Sequence, residues 1–229
     1  MSALNPGHPN SLDSVVGTEV KVRRVAQGNE PKVLTDIYRS ANNIVIWRRT
    51  LSETLKTSVD SFLDSNASYQ ASMTVTPESA LSSLNDALGG RGKTELSEDI
   101  AELVDMFCYL FELRRAGLRL TALDSAMCPK FHVDKVPCRL ITTFHGAATE
   151  WLPHQAVNRQ KLGIGSQGKP DNESGLYQNQ HDIQQLNCGD VALLKGELWE
   201  GNENAGLVHR SPALAANERR LLLTLDFSD

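Results

Sequence analysis

The periodicity of apolar residues changes at Gly117, and this change limits the folds open to the chain. Beyond this glycine, short apolar or alternating runs are separated by Gly, Pro, Asn and Asp, and no stretch has the period of a long helix. The runs are LRLTALDSA, KFHVD, CRLITTFHG, DIQQL, DVALLKG, GLVHRSP and RRLLLTLDF. About seven or eight short strands that follow a helical half predict an α+β chain built on a double-sheet barrel.

The preceding part of the chain is predicted to be mainly helical. The run NNIVIWRR is typical of a strand, and TLSETLKTSVDSFLDS after it indicates an amphipathic helix with a capping box at Thr50 and Glu53. The stretch SMTVTPESALSSLNDALGG repeats this order, with Thr76 as the N-cap and Gly89 as the stop. The strongest helical pattern is SEDIAELVDMFCYLFELRRAG, which we expect to close at its arginines and Gly117.

These patterns define the expected domain organisation. Residues 1–30 are rich in Asn, Gly, Pro and Ser and predict a flexible arm, followed by a single domain over residues 31–229. Within this domain, residues 31–116 are expected to form mainly helical support and residues 117–229 the barrel core. The segment GIGSQGKPDNESG, residues 163–175, is too polar for a core and predicts a long loop, or lid, at the barrel mouth.

Charge and composition exclude several classes of function. The formal net charge of -5 and the dispersed lysines and arginines give no electrostatic footprint for nucleic acid or an anionic membrane. The start MSALNPGHPNSLDS lacks the basic and apolar regions of a signal peptide, and no run approaches the roughly 18 apolar residues of a spanning helix. We therefore expect a cytoplasmic protein that acts on a small molecule or a protein substrate.

The stretch CPKFHVDKVPC carries the candidate chemistry. His132 and Asp134 are two residues apart, so on a strand both side chains point to the same side. They are two thirds of a metal site, and the third ligand must come from a strand distant in sequence. Among the later histidines His209 is best placed, because the Gly/Asn-rich loop before it can return GLVHRSP beside the first two ligands. The sequence offers no comparable set of ligand candidates around the remaining later histidines: His145, His154 and His181.

Two further strands carry candidate binding residues. Arg219 begins RRLLLTLDF and shares strand parity with alternate leucines, which predicts an inward guanidinium that needs an anionic partner. Arg220 takes this place if the strand is turned by one residue. On the strand after the first ligands, Arg139, Thr142 and Thr143 are candidates for binding a co-substrate or substrate.

The order His-x-Asp, distal His and then Arg resembles the iron(II)/2-oxoglutarate-dependent oxygenases. The resemblance implies a double-stranded β-helix (a jelly-roll or cupin-like barrel) with the N-terminal helices packed outside. It also implies that His132, Asp134 and His209 are the Fe(II) ligands and that Arg219 anchors 2-oxoglutarate. The expected reaction is hydroxylation of an unknown substrate, with release of succinate and carbon dioxide.

Two stretches also resemble an uncharacterised bacterial family, the domain-of-unknown-function family 1826. They are CPKFHVDKVPCRLITTFHGAATEWLP and HRSPALAANERRLLLTLDF. This second resemblance implies no activity, but it groups CPKFHVD and GAATEW in one motif region.

Two other functions stay open at this point. A cupin-like protein related to zinc supply or sensing would use the same three ligands without 2-oxoglutarate, and an outward Arg219 would favour it. In a separate zinc site, Cys128 and Cys138 would join His132, since thiolates favour zinc, although their spacing is not typical of zinc sites and buried thiols that line the pocket are the default. A barrel that binds no metal predicts instead that the three ligand candidates fail to converge within ~5 Å.

Overall fold

The structure is a computed structural model that describes residues 22–66, 68–89 and 94–228. The main helices are α1 (Glu53–Ser65), α2 (Pro77–Leu88) and α3 (Thr94–Phe111), and a short α4 (Asp171–Ser174) follows later in the chain. The strands are β1 (Arg24–Gly28), β2 (Asn42–Trp47), β3 (Tyr69–Val75), β4 (Ala116–Leu123), β5 (Cys138–His145), β6 (Glu150–Leu152), β7 (Gln184–Gln185), β8 (Val191–Lys195), β9 (Val208–Arg210) and β10 (Arg220–Phe227). Within the described ranges, no helix is long and apolar enough to cross a bilayer.

The strands form two sheets. The major sheet has the order β1-β2-β8-β5-β10-β4-β3 and is antiparallel apart from the β1–β2 pair. The minor sheet has the order β7-β6-β9, and a bridge between His132 and His209 extends it by one more segment. From β4 onward the chain passes back and forth between the sheets, with His132, β6, β7 and β9 in the minor one. This connectivity confirms the predicted α+β fold on a double-stranded β-helix.

The helices cover one face of the major sheet. Leu221, Leu223 and Leu225 of β10 belong to the same buried cluster as Phe62 of α1 and Phe107 of α3. Because side chains alternate along a strand, the intervening residues of β10 point to the opposite face. The helical layer therefore lies outside the barrel, as expected, and it takes the alternate leucines of β10.

The opposite face of the major sheet packs against the minor sheet. Ile44, Ile141, Leu194 and Leu222 share a buried cluster with Trp151 of β6. This second core holds the two sheets together and walls off the space between them. The candidate site lies in that space.

The N-terminal prediction needs correction. Arg24–Gly28 forms β1 and pairs with β2, so a flexible arm over residues 1–30 extends too far; residues 1–21 lie outside the described part. The strands predicted within residues 31–116, at NNIVIWRR and at the start of SMTVTPESALSSLNDALGG, are present as β2 and β3, and both belong to the major sheet.

Two helix boundaries differ from the sequence prediction. Ser52, and not Thr50, caps α1, because its side chain accepts the Leu55 N–H. The predicted Thr76 cap and Gly89 stop of α2 are confirmed. Helix α3 ends at Phe111, since Glu112 adopts a φ of 54°, and Gly117 is already part of β4.

The polar segment 163–175 contributes to a cover over the outer face of the minor sheet. Asp171 is buried and accepts the backbone N–H of Phe131 at 2.9 Å. Just beyond the segment, Leu176 packs with Phe131 and Val208 in a third apolar cluster. The anchored end of the segment is therefore a cover of the sheet and not the predicted lid over the barrel mouth.

Gly146 joins the end of β5 to the start of β10 by a close approach. Its φ is +82°, and an added Cβ would lie 2.2 Å from the carbonyl oxygen of Arg219. Gly89 has a φ of +76°, but nothing in the described part of the chain lies within 4 Å of its Cβ position. A comparison of these two glycines therefore separates the cost of backbone strain, which both share, from the cost of steric contact, which only Gly146 has.

Gly146→Ala is expected to lower the free energy of unfolding by about 3 kcal/mol, because strain and overpacking add. Gly89→Ala adds strain alone and should cost only about 1 kcal/mol. Denaturant unfolding of both variants measures the difference. Equal losses would show that the Gly146 contact is unimportant.

Candidate metal centre

The structure brings together the three residues predicted to bind a metal. His132, Asp134 and His209 each offer one ligand atom, and these atoms all lie within 4.8 Å of one another. His132 and His209 face each other across the minor sheet, where each backbone N–H donates to the other's carbonyl at 3.0 Å. The two histidines are thus held in register by backbone pairing, and Asp134 follows in the turn after His132.

Backbone carbonyls orient both imidazoles. Nδ1 of His132 lies 3.0 Å from the Lys130 carbonyl oxygen, and Nδ1 of His209 lies 3.3 Å from that of Leu207. A carbonyl oxygen only accepts, so each Nδ1 carries a proton and, in the neutral ring, each Nε2 carries a lone pair. Second-sphere carbonyls of this kind are typical of histidines that bind metals.

Both Nε2 atoms face the carboxylate of Asp134. The distances are 3.6 Å from His132 to Oδ1 and 3.4 Å from His209 to Oδ2. Lone pairs that face a carboxylate repel it unless a proton or a metal cation lies between them. Two imidazoles and one carboxylate on one face are the donor set of a facial triad, so the residues present fit iron(II).

The charge of Asp134 is stabilised from several sides. Burial alone would raise the pKa of Asp134, but the hydrogen bonds that the imidazoles donate when a proton rather than a metal occupies Nε2, together with the nearby charges of His209 and Arg139, outweigh burial and hold that pKa well below its usual range. The hydrogen bond to Asp134 likewise raises the pKa of His132. The carboxylate is therefore ionised at neutral pH, as a metal ligand must be.

Arg139, predicted to bind a co-substrate, pairs instead with two aspartates. Its Nη1 donates to Asp134 Oδ2 at 2.6 Å, while Nε and Nη2 both donate to Asp226 at 2.8 Å. A guanidinium held by a bidentate pair has a fixed orientation. Arg139 is therefore a positioning residue for the Asp134 carboxylate.

Arg139→Met is expected to weaken metal affinity about 10- to 100-fold, the usual cost of losing an outer-sphere partner. Asp226→Asn is the matched control, because it leaves the Arg139–Asp134 hydrogen bond in place and should have a smaller effect. Titration of both variants with zinc or iron(II) measures the two affinities. Wild-type affinity in Arg139→Met would show that Asp134 needs no support.

Arg220, the fallback anchor, points into the space between the sheets. It is 1% exposed, and its guanidinium donates to the hydroxyls of Thr143, Thr149 and Ser211 at 3.2, 2.7 and 3.4 Å. Its Nε has no hydrogen-bond partner, and no carboxylate within the described ranges pairs with it. Burial lowers the pKa of Arg220 to about 10. A buried cation without an anion is costly, so this position fits an anionic ligand.

Arg219 and Thr142 lie on the wrong side of the sheet for their predicted roles. Arg219 donates to the Leu63 carbonyl and to Asp64 at the end of α1. Thr142 is opposite Leu223, whose side chain packs under the helices, and its hydroxyl has no partner in the described part. Both predictions fail because the leucines of β10 face the helical layer and not the barrel interior.

The cysteines do not complete a zinc site. Cys138 is buried among the residues under the helices, and burial raises the pKa of its thiol well above the usual range. Cys128 lines the site cavity. Among the described residues, the group of potential ligands that converges there consists of His132, Asp134 and His209.

The two histidine ligands and Arg220 line one cavity of about 80 Å³ between the sheets, and the Asp134 carboxylate lies within 3.6 Å of both histidines. Its wall includes His132, His209, Arg139 and Arg220 together with the apolar Ile141. A much larger cleft of about 800 Å³ lies elsewhere. We place the site at the smaller cavity because two of the three convergent ligands and the buried Arg220, which has no carboxylate partner, line it.

Sequence reasoning missed three residues of this site. Asp226 lies on the same face of β10 as Arg220, and Ser211 lies two positions after His209, so strand parity pointed to both. Thr149 carried no signal beyond its place in GAATEW, because its contact with Arg220 spans 71 positions of sequence.

A family model matches residues 28–226 of the chain. The chain belongs to the family described as Protein of unknown function (DUF1826). No curated protein matches this member of the DUF1826 family. The match spans β2 to β9, nearly all of β10, the helices α1 to α4 and every residue of the candidate site.

Solved structures offer distant likenesses to this DUF1826 member. The dioxygenase for auxin oxidation of rice is 12% identical, with 90% of this chain and 82% of that chain covered and a TM-score of 0.48. HygX of Streptomyces hygroscopicus, solved with iron bound, is 10% identical, with 87% of each chain covered and a TM-score of 0.46. An oxidoreductase of the 2OG-Fe(II) oxygenase family from Burkholderia pseudomallei is 11% identical, with 91% of this chain and 95% of that chain covered and a TM-score of 0.43.

Proposed function

We propose that this protein is an iron(II)/2-oxoglutarate-dependent oxygenase that hydroxylates an organic substrate. His132, Asp134 and His209 would hold the metal, and Arg220 would bind the distal carboxylate of 2-oxoglutarate. The observation that carries the proposal is the buried guanidinium of Arg220, which has no carboxylate partner and lies in the same cavity as His132 and His209, two of the three convergent ligands.

The donor set suits this cofactor pair. Two neutral imidazoles and one carboxylate leave iron(II) a net positive charge and open positions for a chelating 2-oxo acid. Bound together, iron(II) and 2-oxoglutarate supply the activation of dioxygen for hydroxylation, with succinate and carbon dioxide as co-products.

The protein's own residues would bind the co-substrate, orient the metal ligands and exclude water. The Arg220 guanidinium would pair with the co-substrate carboxylate, and the hydroxyls of Thr143 and Thr149 fix its orientation. Arg139 holds the Asp134 carboxylate by donating to its Oδ2. Leu222 lines the cavity, and its apolar surface limits water around these charges.

The zinc-related alternative predicts a different site. A cupin-like zinc protein has no need for a buried arginine without an anionic partner, and burial of that cation lowers the stability of the fold. The outward position of Arg219 would favour this alternative if Arg220 were not turned inward beside it.

The test is anaerobic loading of the protein with iron(II), followed by 2-oxoglutarate. A weak visible charge-transfer band should form in 1:1 stoichiometry, and addition of oxygen should yield succinate. Succinate, a chelate-free analogue with the same distal carboxylate, is the matched control and should give no band. Tight zinc binding with neither a band nor 2-oxoglutarate affinity would overturn the proposal in favour of the zinc protein.

A further inference from the structure

Arg119 of β4 is a second arginine without a partner at the site cavity. It is exposed at the cavity wall, and its guanidinium makes no hydrogen bond or ion pair with any residue of the described part. Two further arginines of the cavity wall have acidic partners. Arg139 pairs with two aspartates, and Arg210 pairs with Glu150 at 2.7 Å and with a second carboxylate. Two cations of one cavity, Arg119 and Arg220, thus lack counter-charges among the described residues.

The register separates these two cations. Arg119 lies opposite Thr224 of β10, four residues along the strand from Arg220. At a rise of about 3.3 Å per residue, their backbones are roughly 13 Å apart. Arg119 is near the Asp226 end of the strand, where Arg139 reaches Asp134, whereas Arg220 is at the other end.

This arrangement assigns different ligands to Arg119 and Arg220. If the proposed function holds, one carboxylate of 2-oxoglutarate pairs with Arg220 and the other takes part in the chelate at the metal. The co-substrate then has no anionic group left for Arg119. The free cation at the metal end of the cavity is available to the substrate.

The face beside Arg119 is uncovered and polar. Ser72 of β3 pairs with Arg119, and its neighbours Gln70 and Thr74 are also exposed on alternate positions of the same strand. Thr121 lines the cavity next to Arg119. β3 is the edge strand of the major sheet, and none of its described residues belongs to the buried cluster between the two sheets. A row of hydrogen-bonding side chains therefore leads from the cavity to open solvent.

We infer that Arg119 binds an anionic group, a carboxylate or a phosphate, of the substrate. The substrate class is a small organic acid or phosphate ester whose remainder lies along the polar face of β3 and β4. The conclusion that this anion belongs to the substrate rests on the proposed function. The anion site itself depends only on Arg119.

The test uses simple anions as probes. Binding of propionate is measured by saturation-transfer NMR and binding of inorganic phosphate by ³¹P line width, with the neutral propionamide for comparison. Each probe is titrated into the protein alone and into protein with zinc(II), a diamagnetic stand-in for iron(II), plus saturating 2-oxoglutarate. The variants are Arg119→Gln and Arg119→Lys, and Arg24→Gln on the opposite edge strand is the matched control.

With the co-substrate present, Arg119→Gln should weaken propionate or phosphate binding about tenfold, the value of one charge-assisted contact. Arg119→Lys should retain part of the affinity, and Arg24→Gln all of it. Propionamide should respond to none of the variants. Whichever anion loses more affinity in Arg119→Gln identifies the substrate's group as carboxylate or phosphate.

Two outcomes separate this inference from the proposed function. Unchanged anion affinity in Arg119→Gln, both with and without 2-oxoglutarate, overturns the inference even if the co-substrate binds. An Arg119-dependent anion site in a protein that fails to bind 2-oxoglutarate supports the anion site and rejects the oxygenase. Because Arg119 is exposed, its substitution should leave the thermal midpoint unchanged, so loss of binding cannot be ascribed to unfolding.

Discussion

His209→Ala is expected to weaken metal binding by at least about a hundredfold, since even outer-sphere losses reach that size. His132→Ala and Asp134→Ala should do the same, because each removes one of three convergent ligand atoms. Isothermal titration with zinc or iron(II) measures the affinity and the stoichiometry. The fold should survive His209→Ala, because the reciprocal hydrogen bonds between positions 132 and 209 are made by the backbone.

The matched control for the ligand variants is His145→Ala. His145 lies on β5 but faces away from the cavity and contacts the exposed Asp60 at 3.1 Å. This variant should bind one metal ion with wild-type affinity. Tight 1:1 binding retained in all three ligand variants would move the metal site elsewhere in the protein.

Arg220→Gln should weaken 2-oxoglutarate binding about 30-fold or more, since the loss of one partner of a buried charge pair costs about 2 to 5 kcal/mol. Its neighbour in sequence supplies the control: Arg219→Gln should leave the affinity unchanged, because Arg219 contacts α1 on the other face of the sheet. Titration of the charge-transfer band at fixed iron(II) measures both dissociation constants. Metal affinity should be the same in both variants.

Stability provides a second readout for Arg220. Without a bound anion, burial of the guanidinium disfavours its charge, as the lowered pKa of Arg220 indicates. Arg220→Gln should therefore leave the thermal midpoint of the free protein unchanged or higher, while it removes the stabilisation that 2-oxoglutarate gives the wild type. A large loss of stability without ligand would instead identify Arg220 as a structural residue. Equal 2-oxoglutarate affinity in Arg220→Gln and Arg219→Gln would contradict the oxygenase proposal.

Local pattern was sufficient for much of the scaffold. Helix α2 begins and ends where its cap and glycine predict, and the long helix α3 appears within its apolar stripe. These features depend on neighbours within a few residues, which the sequence displays directly. The end of α3 is different: basic residues favour a helix C-terminus, but Glu112 leaves helical geometry before they are reached.

The sequence alone predicted that the side chains of His132 and Asp134 point to one side, because residues two apart on an extended chain share one side. It also determined that one arginine of the pair at 219 and 220 faces the site, since parity sends adjacent residues to opposite faces. Which arginine does so was decided only by the tertiary structure. The alternation of side chains shows that β10 has two faces, but both the helices and the minor sheet can cover an apolar face. Only the packing of the folded chain places Leu221 against the helices and Leu222 against the minor sheet.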